Sequence, residues 1–383
     1  MLCRFENRLT GRALSLEGFR DRIDVTSPAA LDEAFERIEQ AQSQGRWIAL
    51  LLDYELGEWL EPAAARVQRQ DTTCDTPRLT ALVYERADDT QVWAAPEAGT
   101  PFGLTARALI TRASYMRHIE TLRQAIARGE IYQANYTFPI AVDTAMAPRD
   151  VYCHLAASHP AAHGAYIEDG ARSILSFSPE LFFERKQATL TVRPMKGTAP
   201  RYADPEQDRQ AAEALQHSEK NRAENLMIVD LLRNDLGRLA TPGSVQVQAL
   251  FSLERYPSVW TLTSTITAQA PQASLRTLLH ALFPCGSITG APKIAAMKKI
   301  RELEIAPRGI YCGSVGWLAP DGDCSLNVAI RTITMDASGR GVLGVGGGIV
   351  HDSDPALEWE ECLWKARVLG RGPEAPTVVH YDE

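Results

Sequence analysis

The sequence contains no long apolar run. No stretch of about 18 consecutive apolar residues occurs among its 383 residues, and segment 1–8 lacks the apolar core that a signal peptide carries. These absences predict that the chain has neither a membrane span nor a secretory leader. We therefore expect a cytoplasmic protein.

Cysteine pairs are also missing. The chain has seven cysteines, an odd number, and none of them belongs to a Cys-x-x-Cys pair. A disulfide framework usually needs an even number, and structural zinc sites usually use closely spaced pairs. The sequence therefore predicts reduced thiols that serve in packing, and no zinc site.

Basic residues are outnumbered by acidic ones. Lysine and arginine together number 40, against 48 aspartates and glutamates, which gives a formal net charge of -8. No segment gathers enough basic residues to form a nucleic-acid-binding surface, so nucleic acid is excluded as a partner. A small anionic substrate would need a local cluster of positive groups.

Short strand-like segments, by contrast, are frequent, and many follow one another without an intervening helix. Apolar runs and alternating patterns predict strands over 47–52, 131–141, 164–168, 173–177, 181–194, 260–268, 310–319, 326–335 and 341–345. Helical spacing predicts helices over 29–44, 112–128, 148–158, 205–237, 274–282, 292–303 and 355–369. This order predicts an α+β (mixed α/β) fold in which large antiparallel sheets are flanked by helices.

The region 61–108 reads as looser than the rest of the chain. It is rich in proline, aspartate, threonine and glycine, which are typical of turns and loops. We therefore predict a boundary at its end. An N-terminal α/β subregion over 1–108 would pack on a catalytic unit over 109–372, and a short tail over 373–383 would follow.

Lys196 has an unusual position for a lysine. It belongs to the segment PMKGT at 194–198, immediately after a predicted strand, and stands between a methionine and a glycine. Such a position suits a nucleophilic amine. The alternative is a solvated lysine at a strand end, since most lysines are exposed.

Glu180 is a second candidate for chemistry. It follows a predicted strand and stands close to the apolar residues Phe177 and Leu181. Apolar surroundings raise the pKa of a carboxyl group towards neutrality, which suits a general acid.

Acidic residues recur in two predicted helices. Glu358, Glu361 and Lys365 share one face of the C-terminal helix, because they are spaced three and four residues apart. Glu224 lies near the start of an apolar helix, whose polar residues need partners. These carboxylates could bind Mg²⁺ next to an anionic substrate group. The alternatives are a solvated salt-bridge face on the C-terminal helix and an interaction of Glu224 with the helix dipole.

Two glycine-rich segments, 283–293 and 344–350, invite comparison with nucleotide-binding loops. Neither has the glycine spacing of a P-loop or of a dinucleotide-binding turn. Read as loops, they could still bring bare backbone N–H groups close to a small carboxylate. Tyr311 and Arg331 stand on strand-like segments, and an arginine on a buried strand usually pairs with a carboxylate of the protein or of a ligand.

Together these segments resemble the chorismate-utilising enzymes over residues 110–370. This family contains the anthranilate, aminodeoxychorismate, isochorismate and salicylate synthases. The Pro-x-Lys-Gly-Thr segment is similar to that of the aminodeoxychorismate branch, whereas anthranilate synthases carry alanine in place of the lysine. The resemblance implies antiparallel sheets sandwiched by helices, with the active site in the cleft between them.

The resemblance also implies roles for individual residues. Mg²⁺ would be bound by Glu224 and Glu361, with Glu358 beside them. Lys196 would attack ring C2 of chorismate while Glu180 protonates the departing C4 hydroxyl, and ammonia would then add at C4 and expel the lysine. The remaining substrate-binding groups would be Tyr311, Arg331, Lys365, Gly197, Thr198 and the backbone of Gly346, Gly347 and Gly348.

Gln133 bears on the choice of nucleophile. Isochorismate and salicylate synthases use a lysine at the matching position to activate water, and an amide cannot accept that proton. The resemblance therefore favours ammonia over water. No segment resembles a glutaminase, so ammonia is expected from a separate glutamine amidotransferase subunit or from solution.

Two other functions stay open on the sequence. An anthranilate synthase component I is one, although Lys196 counts against it, as does Thr261 near the position where those enzymes have a histidine. An inactive chorismate-binding scaffold for a glutaminase is the other. Such a scaffold should have lost some of the candidate site residues, and all of them are present.

Overall fold

A computed structural model describes residues 1–65, 74–97, 99–100, 102–257 and 259–370, together with the backbone of 378–379. The helices are α1 Leu31–Ser43, α2 Leu56–Leu60, α3 Arg112–Ala127, α4 Pro148–Ser158, α5 Pro205–His217, α6 Glu219–Gly237, α7 Leu275–Leu282, α8 Lys293–Leu303 and α9 Pro355–Ala366. Short 3-10 helices cover Pro28–Ala30, Pro62–Ala64, Gly286–Ile288 and Arg367–Leu369. No helix in these ranges is long and apolar enough to cross a membrane.

The strands are more numerous than the helices and most of them are short. They are β1 Leu2–Asn7, β2 Arg12–Val25, β3 Trp47–Leu52, β4 Leu79–Gln91, β5 Thr105–Ala108, β6 Gln133–Asp143, β7 His163–Glu168, β8 Ser173–Ser178, β9 Leu181–Lys186, β10 Thr189–Arg193, β11 Met195–Pro200, β12 Gln246–Arg255, β13 Val259–Gln269, β14 Gly290–Ala291, β15 Ser314–Leu318, β16 Cys324–Val328, β17 Thr332–Met335, β18 Arg340–Ile349 and β19 Val378–Val379.

Antiparallel pairing joins these strands into one long ribbon. Its order is β12, β13, β10 with β11, β9, β16, β15, β3, β4, β2, β1, β7, β8, β17, β18, β6 and β5. The short β14 pairs with the first residues of β6, and β19 lies parallel to β5. The predicted α+β class with antiparallel sheets is confirmed.

The two halves of the ribbon pack face to face, with helices on their outer sides. Strand β3 illustrates this packing, because its successive residues point alternately into two apolar clusters, one on each face of the sheet. Ile48, Leu50 and Leu52 pack with residues of α1, α6 and α7, whereas Ala49 and Leu51 pack with residues of β1, β7 and β8 from the other half. A strand that is buried on both faces reads as a continuous apolar run, which is why β3 could be predicted from the sequence. The outer side of the second half is covered by α3, α4, α8 and α9.

The N-terminal region contributes strands that the sequence did not reveal. Strand β4 occupies part of 61–108, so the expectation of a loose region there is wrong, and β1 and β2 precede the first predicted element. The reason is that half of β4, and much of β2, is exposed and rich in charge. Through pairing with β7 and β15 the N-terminal strands extend the same ribbon. The boundary at 108 stays a prediction, and the tail 373–383 lies outside the described residues except for the β19 backbone.

Several predicted elements prove to be two. The helix predicted over 205–237 breaks at Ser218, whose side chain accepts a hydrogen bond from the Asn221 N–H and caps α6. The strand predicted over 181–194 is the hairpin β9–β10, with Gln187 at a φ of 55° in its turn. The strand predicted over 326–335 is divided into β16 and β17 by residues 329–331, where Arg331 has a φ of 50°.

Candidate active site

A cavity of about 390 Å³ lies where β11 and β18 meet α6 and α9. It is lined by most of the residues predicted for the site, which come from distant parts of the chain. They are Glu180, Lys196, Gly197, Thr198, Glu224, Tyr311, Arg331, Gly346, Gly348, Glu358, Glu361 and Lys365. Gln133 and Gly347 lie in the wall directly behind this lining.

Lys196 lies within strand β11 and not after a strand end. The register of β11 against β13 shifts between Lys196 and Thr198, and Gly197 at this bulge has a φ of 83°. A bulge re-aims the side chain beside it, and only glycine adopts this backbone conformation without strain. Lys196 is half-buried, and its Nζ donates a hydrogen bond to the backbone carbonyl of Ser287 at 3.2 Å. The bulge at Gly197 therefore directs the Lys196 side chain into the cavity.

Glu180 lies in the turn between β8 and β9 and is only 4% exposed. Its Oε1 atom has no hydrogen-bond partner among the described residues. Burial raises the pKa of Glu180 from 4.5 to about 6, although the charge of Lys196 and hydrogen bonds from Ser287 and the Met195 backbone act in the opposite direction. A carboxyl group of this kind can hold a proton near neutral pH and release it to a neighbour.

The burial of Glu180 should cost stability at neutral and higher pH. A raised pKa means that the stabilising contribution is fully present below pH 4.5 and is lost as the pH rises through about 6. Replacing the carboxyl by an amide, as in Glu180→Gln, is therefore expected to raise the free energy of unfolding at pH 8 by about 2 kcal/mol. Urea unfolding at several pH values measures this. A gain that does not shrink as the pH approaches 4.5 would contradict the assignment.

Gln133, the first residue of β6, places its amide next to Lys196. It is 1% exposed, and its Oε1 has no hydrogen-bond partner among the described residues. Gly348 of β18 makes room for it, because a β-carbon there would lie 2.6 Å from Gln133 Nε2 and 3.8 Å from Lys196 Nζ. The Gln133 amide and the Lys196 amine therefore both border the space that the missing side chain of Gly348 leaves open.

The glycines at 344–348 belong to a strand, so the expectation of a loop is wrong. β18 pairs with β6 over its whole length but with β17 only as far as Leu343. Beyond Leu343, one edge of β18 has no partner strand in the described part of the chain, and this edge borders the cavity. At this free edge, Lys365 Nζ donates a hydrogen bond to the Gly346 carbonyl at 2.7 Å. Backbone groups therefore reach the cavity, although from a strand edge.

The other glycine-rich segment, 283–293, also serves close packing. A β-carbon at Gly286 would lie 2.5 Å from the Leu231 side chain, and one at Gly290 would lie 2.2 Å from the Gln133 carbonyl oxygen. These glycines therefore let the segment approach α6 and β6. Ser287, between them, supplies the carbonyl that holds Lys196.

The face of α9 predicted to carry charge points at the cavity. Asp354 caps the helix by accepting from the N–H groups of residues 356 and 357. A β-carbon at Gly347 would lie 3.1 Å from Glu358 Oε2, 3.7 Å from Lys365 Nζ and 3.9 Å from Glu361 Oε1. Lys365 pairs with Glu361 at 2.8 Å and holds the pKa of that carboxyl below its usual range. Burial, together with the charge of Glu361, raises the pKa of Glu358.

Glu224 of α6 lines the same cavity. As the side chains stand, the described residues contain no group of three or more His, Cys, Asp or Glu side chains gathered closely enough to hold a metal ion. Mg²⁺ needs fewer protein ligands than that, since it usually keeps several waters and takes one or two carboxylates. The donor set of Glu224, Glu358 and Glu361 around one cavity is therefore chemically suited to Mg²⁺.

Tyr311 and Arg331 line the cavity from turns, so the expectation that they lie on strands is wrong. Tyr311 follows α8 in a turn, and its ring fills the space over Gly344, where a β-carbon would lie 2.0 Å from the ring. Arg331 lies in the bend between β16 and β17, and its carbonyl accepts from the Phe177 N–H at 3.0 Å. Both residues still border the space where a substrate carboxylate was predicted.

Lys220 is a cavity residue that the sequence reasoning missed. It lies on the second residue of α6, is exposed, and its charge acts to lower the pKa values of Glu358 and Glu361. Its spacing could have revealed it, because Lys220 precedes Glu224 by four residues and so shares its helix face. Together with Lys196, Lys365 and Arg331 it supplies four basic side chains, which match in number the four glutamates of the described lining, whereas the chain as a whole is acidic.

The chain belongs to the chorismate-binding enzyme family, whose model matches residues 6–371. It is similar to the aminodeoxychorismate synthase component 1 of Klebsiella aerogenes, with 39% identity over 345 residues, or 83% of this chain and 75% of that protein. The protein of the same name from Salmonella typhimurium is 40% identical over 298 residues, 76% of this chain and 65% of its own length. The resemblance read from the sequence is confirmed.

Solved structures agree on the fold. The crystal structure of anthranilate synthase component I from Streptococcus pneumoniae superposes with a TM-score of 0.80 at 25% identity, covering 95% of this chain and 91% of that one. The family match begins at residue 6 and not near 110, where the sequence resemblance began. The N-terminal strands are therefore part of the family fold.

Proposed function

We propose that the chain is the chorismate-converting component of an aminodeoxychorismate synthase. It would convert chorismate and ammonia into 4-amino-4-deoxychorismate, a precursor of p-aminobenzoate and folate. The observation that carries the proposal is that Lys196 and the buried Glu180 border one cavity, where the charge of Lys196 acts on the Glu180 carboxyl. An amine and a carboxyl of raised pKa are the two groups that a displacement through a covalent intermediate requires.

The first half of the reaction uses these two groups together. The Lys196 amine forms a bond to ring C2, both ring double bonds shift by one position, and the C4–O bond breaks. Glu180 gives its proton to the departing hydroxyl, which leaves as water, so the positive charge on the alkylated lysine is matched by the Glu180 carboxylate. Because the Ser287 carbonyl holds Lys196 at 3.2 Å, the amine is oriented before the substrate binds.

The second half returns the lysine. Ammonia forms a bond to C4, both ring double bonds shift back, and the C2–N bond to Lys196 breaks, which releases the neutral amine. The Glu180 carboxylate then takes one proton from the new ammonium group, which restores the starting state. Gln133 favours ammonia over water at this step, because its amide cannot deprotonate water, while its unpartnered Oε1 can accept a hydrogen bond from ammonia. Lys196 and Gln133 thus select amination at C4 over the family's other outcomes.

The ends of the substrate would be held by the charged walls. We assign Mg²⁺ to Glu224 and Glu361 with Glu358 beside them, where the ion would hold a substrate carboxylate and stabilise developing charge. Lys365, Arg331, Tyr311 and the open edge of β18 at residues 346–348 surround the same space. Gly197 and Thr198 line the opposite side, next to Lys196.

Ammonia would come from a separate glutamine amidotransferase chain. The relatives are named as component 1, which implies a second component. Free ammonia should also serve in its absence, because the groups proposed for the reaction, Lys196, Glu180 and Gln133, all belong to this chain.

A product assay tests the proposed function. The purified chain is incubated with chorismate, Mg²⁺ and an ammonium salt, and the products are separated by chromatography and identified by mass spectrometry. Aminodeoxychorismate without pyruvate is the expected result. A fluorescent aromatic product with pyruvate would instead identify an anthranilate synthase, and chorismate binding without turnover would identify a scaffold.

A further inference from the structure

We propose that Arg308 is a positioning residue that fixes the cavity wall behind Lys196 and ties this wall to the N-terminal region. Arg308 is not among the residues that line the cavity, and the sequence predicted no role for it. The proposal rests on the proposed function for its activity readout alone. Its structural part concerns the wall formed by residues 285–291, called here the Ser287 wall.

The guanidinium of Arg308 binds two backbone carbonyls of the cavity lining. Its side chain is 2% exposed, and it donates to the Ile288 carbonyl at 2.9 Å and to the Asn135 carbonyl at 2.5 Å. Ile288 directly follows Ser287, whose carbonyl holds Lys196. The Ile288 carbonyl that the guanidinium binds therefore belongs to the peptide unit next to that of the Ser287 carbonyl, which orients the amine.

Glu304 holds the guanidinium in place. Its two carboxylate oxygens accept from Arg308 at 2.7 and 2.9 Å, a bidentate pair. The same carboxylate accepts from the N–H and the hydroxyl of Thr137 in β6 at 2.8 and 2.9 Å. The planar guanidinium fork is hydrogen-bonded to Glu304 on one side and to the two carbonyls on the other, so it has little freedom to move. It can therefore hold residues 285–291 in a fixed position.

The N-terminal region completes the arrangement. Glu55, just before α2, accepts from the Arg308 N–H at 2.7 Å and from the Gly309 N–H at 3.1 Å. The Tyr54 N–H donates to the Gly309 carbonyl at 2.7 Å, and the Tyr54 ring lies 4.2 Å from the guanidinium carbon. Residues 54–55 thus act on the active site through Arg308, although they lie outside it.

Removing the fork should loosen the Ser287 wall and leave the substrate-binding walls intact. The carbonyls of Ile288 and Asn135 would lose a buried charged donor, and Lys196 would lose its fixed partner. The carboxylate-binding groups on α9 and β18 do not contact Arg308. The expected signature is therefore a loss in kcat at nearly constant KM for chorismate.

The test replaces Arg308 by lysine, which keeps the charge but not the fork. We expect Arg308→Lys to lower kcat by about 10²-fold, with KM for chorismate changed by less than about threefold. Backbone amides in 285–291 should exchange hydrogen faster than in the unmodified protein. Arg301→Lys is the matched control, since Arg301 is exposed and pairs only with Glu58 at 3.6 Å among the described residues. The control should change neither readout.

A second variant acts from the N-terminal side. Glu55→Gln removes the charge that holds Arg308 and Gly309 but keeps one acceptor oxygen, so a smaller loss of about tenfold in kcat is expected. Its control is Glu58→Gln, the same change one helical turn later. If Arg308→Lys does not fold, Glu55→Gln decides the question by the same two measurements.

Hydrogen exchange separates this proposal from the proposed function. If the unmodified chain makes no aminodeoxychorismate, the proposed function fails, while faster exchange in 285–291 of the variants would still support the wall. Unchanged exchange and unchanged kcat in folded Arg308→Lys would overturn the proposal. A rise in KM with constant kcat would overturn it as well, because it would place Arg308 among the binding groups.

Discussion

Lys196→Ala is expected to lower kcat for aminodeoxychorismate formation by about 10³-fold or more, because the covalent intermediate cannot form without the amine. Chorismate should still bind, since the residues proposed to bind Mg²⁺ and the substrate carboxylates lie on other elements of the cavity. Steady-state assays with saturating ammonium, together with a chorismate titration, measure both quantities.

Two controls make the result specific. Lys186→Ala removes another lysine, one that is exposed and pairs with Glu184, and it should have no effect on kcat. Lys196→Arg keeps the positive charge but not the nucleophile, so it should be as inactive as the alanine variant. Recovery of activity in Lys196→Arg would mean that Lys196 acts by its charge, and the covalent account would be wrong.

Glu180→Gln is expected to lower kcat by about 10²–10⁴-fold, because the amide cannot protonate the departing hydroxyl. The reactive state of the unmodified protein holds one proton between Lys196 and Glu180. As the pH falls through about 6, Glu180 gains a proton, the pair then holds two, and kcat/KM, which reports the ionisations of the free enzyme, should fall about tenfold per pH unit. The inflection near pH 6 should be missing from the residual activity of Glu180→Gln, because the amide at 180 does not titrate.

The matched control is Glu184→Gln, four residues later on β9, where the carboxylate is partly exposed and pairs with Lys186. It should keep both the rate and the acidic limb. An inflection near pH 6 that persists unchanged in Glu180→Gln would assign it to another group. Combined with the expected gain in stability at pH 8, the kcat loss would show that Glu180 is kept for chemistry at the expense of the fold.

The sequence predicted those parts of the fold that depend on local patterns. β3 is buried on both faces and α3 carries one apolar stripe, so each could be recognised alone. β2 and β4 are long and partly exposed, and they are strands because they pair with each other and with β1 and β3. Pairing between segments that are distant in the chain produces no clear pattern in the amino-acid sequence of either segment.

The candidate site shows the same division. Glu358, Glu361 and Lys365 are neighbours on one helix, and Lys196 stands in a short motif, so their grouping follows from spacing. Tyr311 and Arg331 were predicted as site residues by resemblance, but their turns depend on chain conformations with positive φ nearby, at Cys312 and at Arg331 itself. Arg308 could not be found, because its role depends on carbonyls of β6 and the Ser287 wall that only tertiary structure brings together.

The most direct test of the central claim is the mass of the protein during the reaction. Incubation with chorismate and Mg²⁺ but without ammonia should add to the chain the mass of chorismate less one water, and fragmentation should place it on Lys196. Ammonium should then discharge the adduct to aminodeoxychorismate. Product formation with Lys196 unmodified throughout, or an adduct on another residue, would contradict the account.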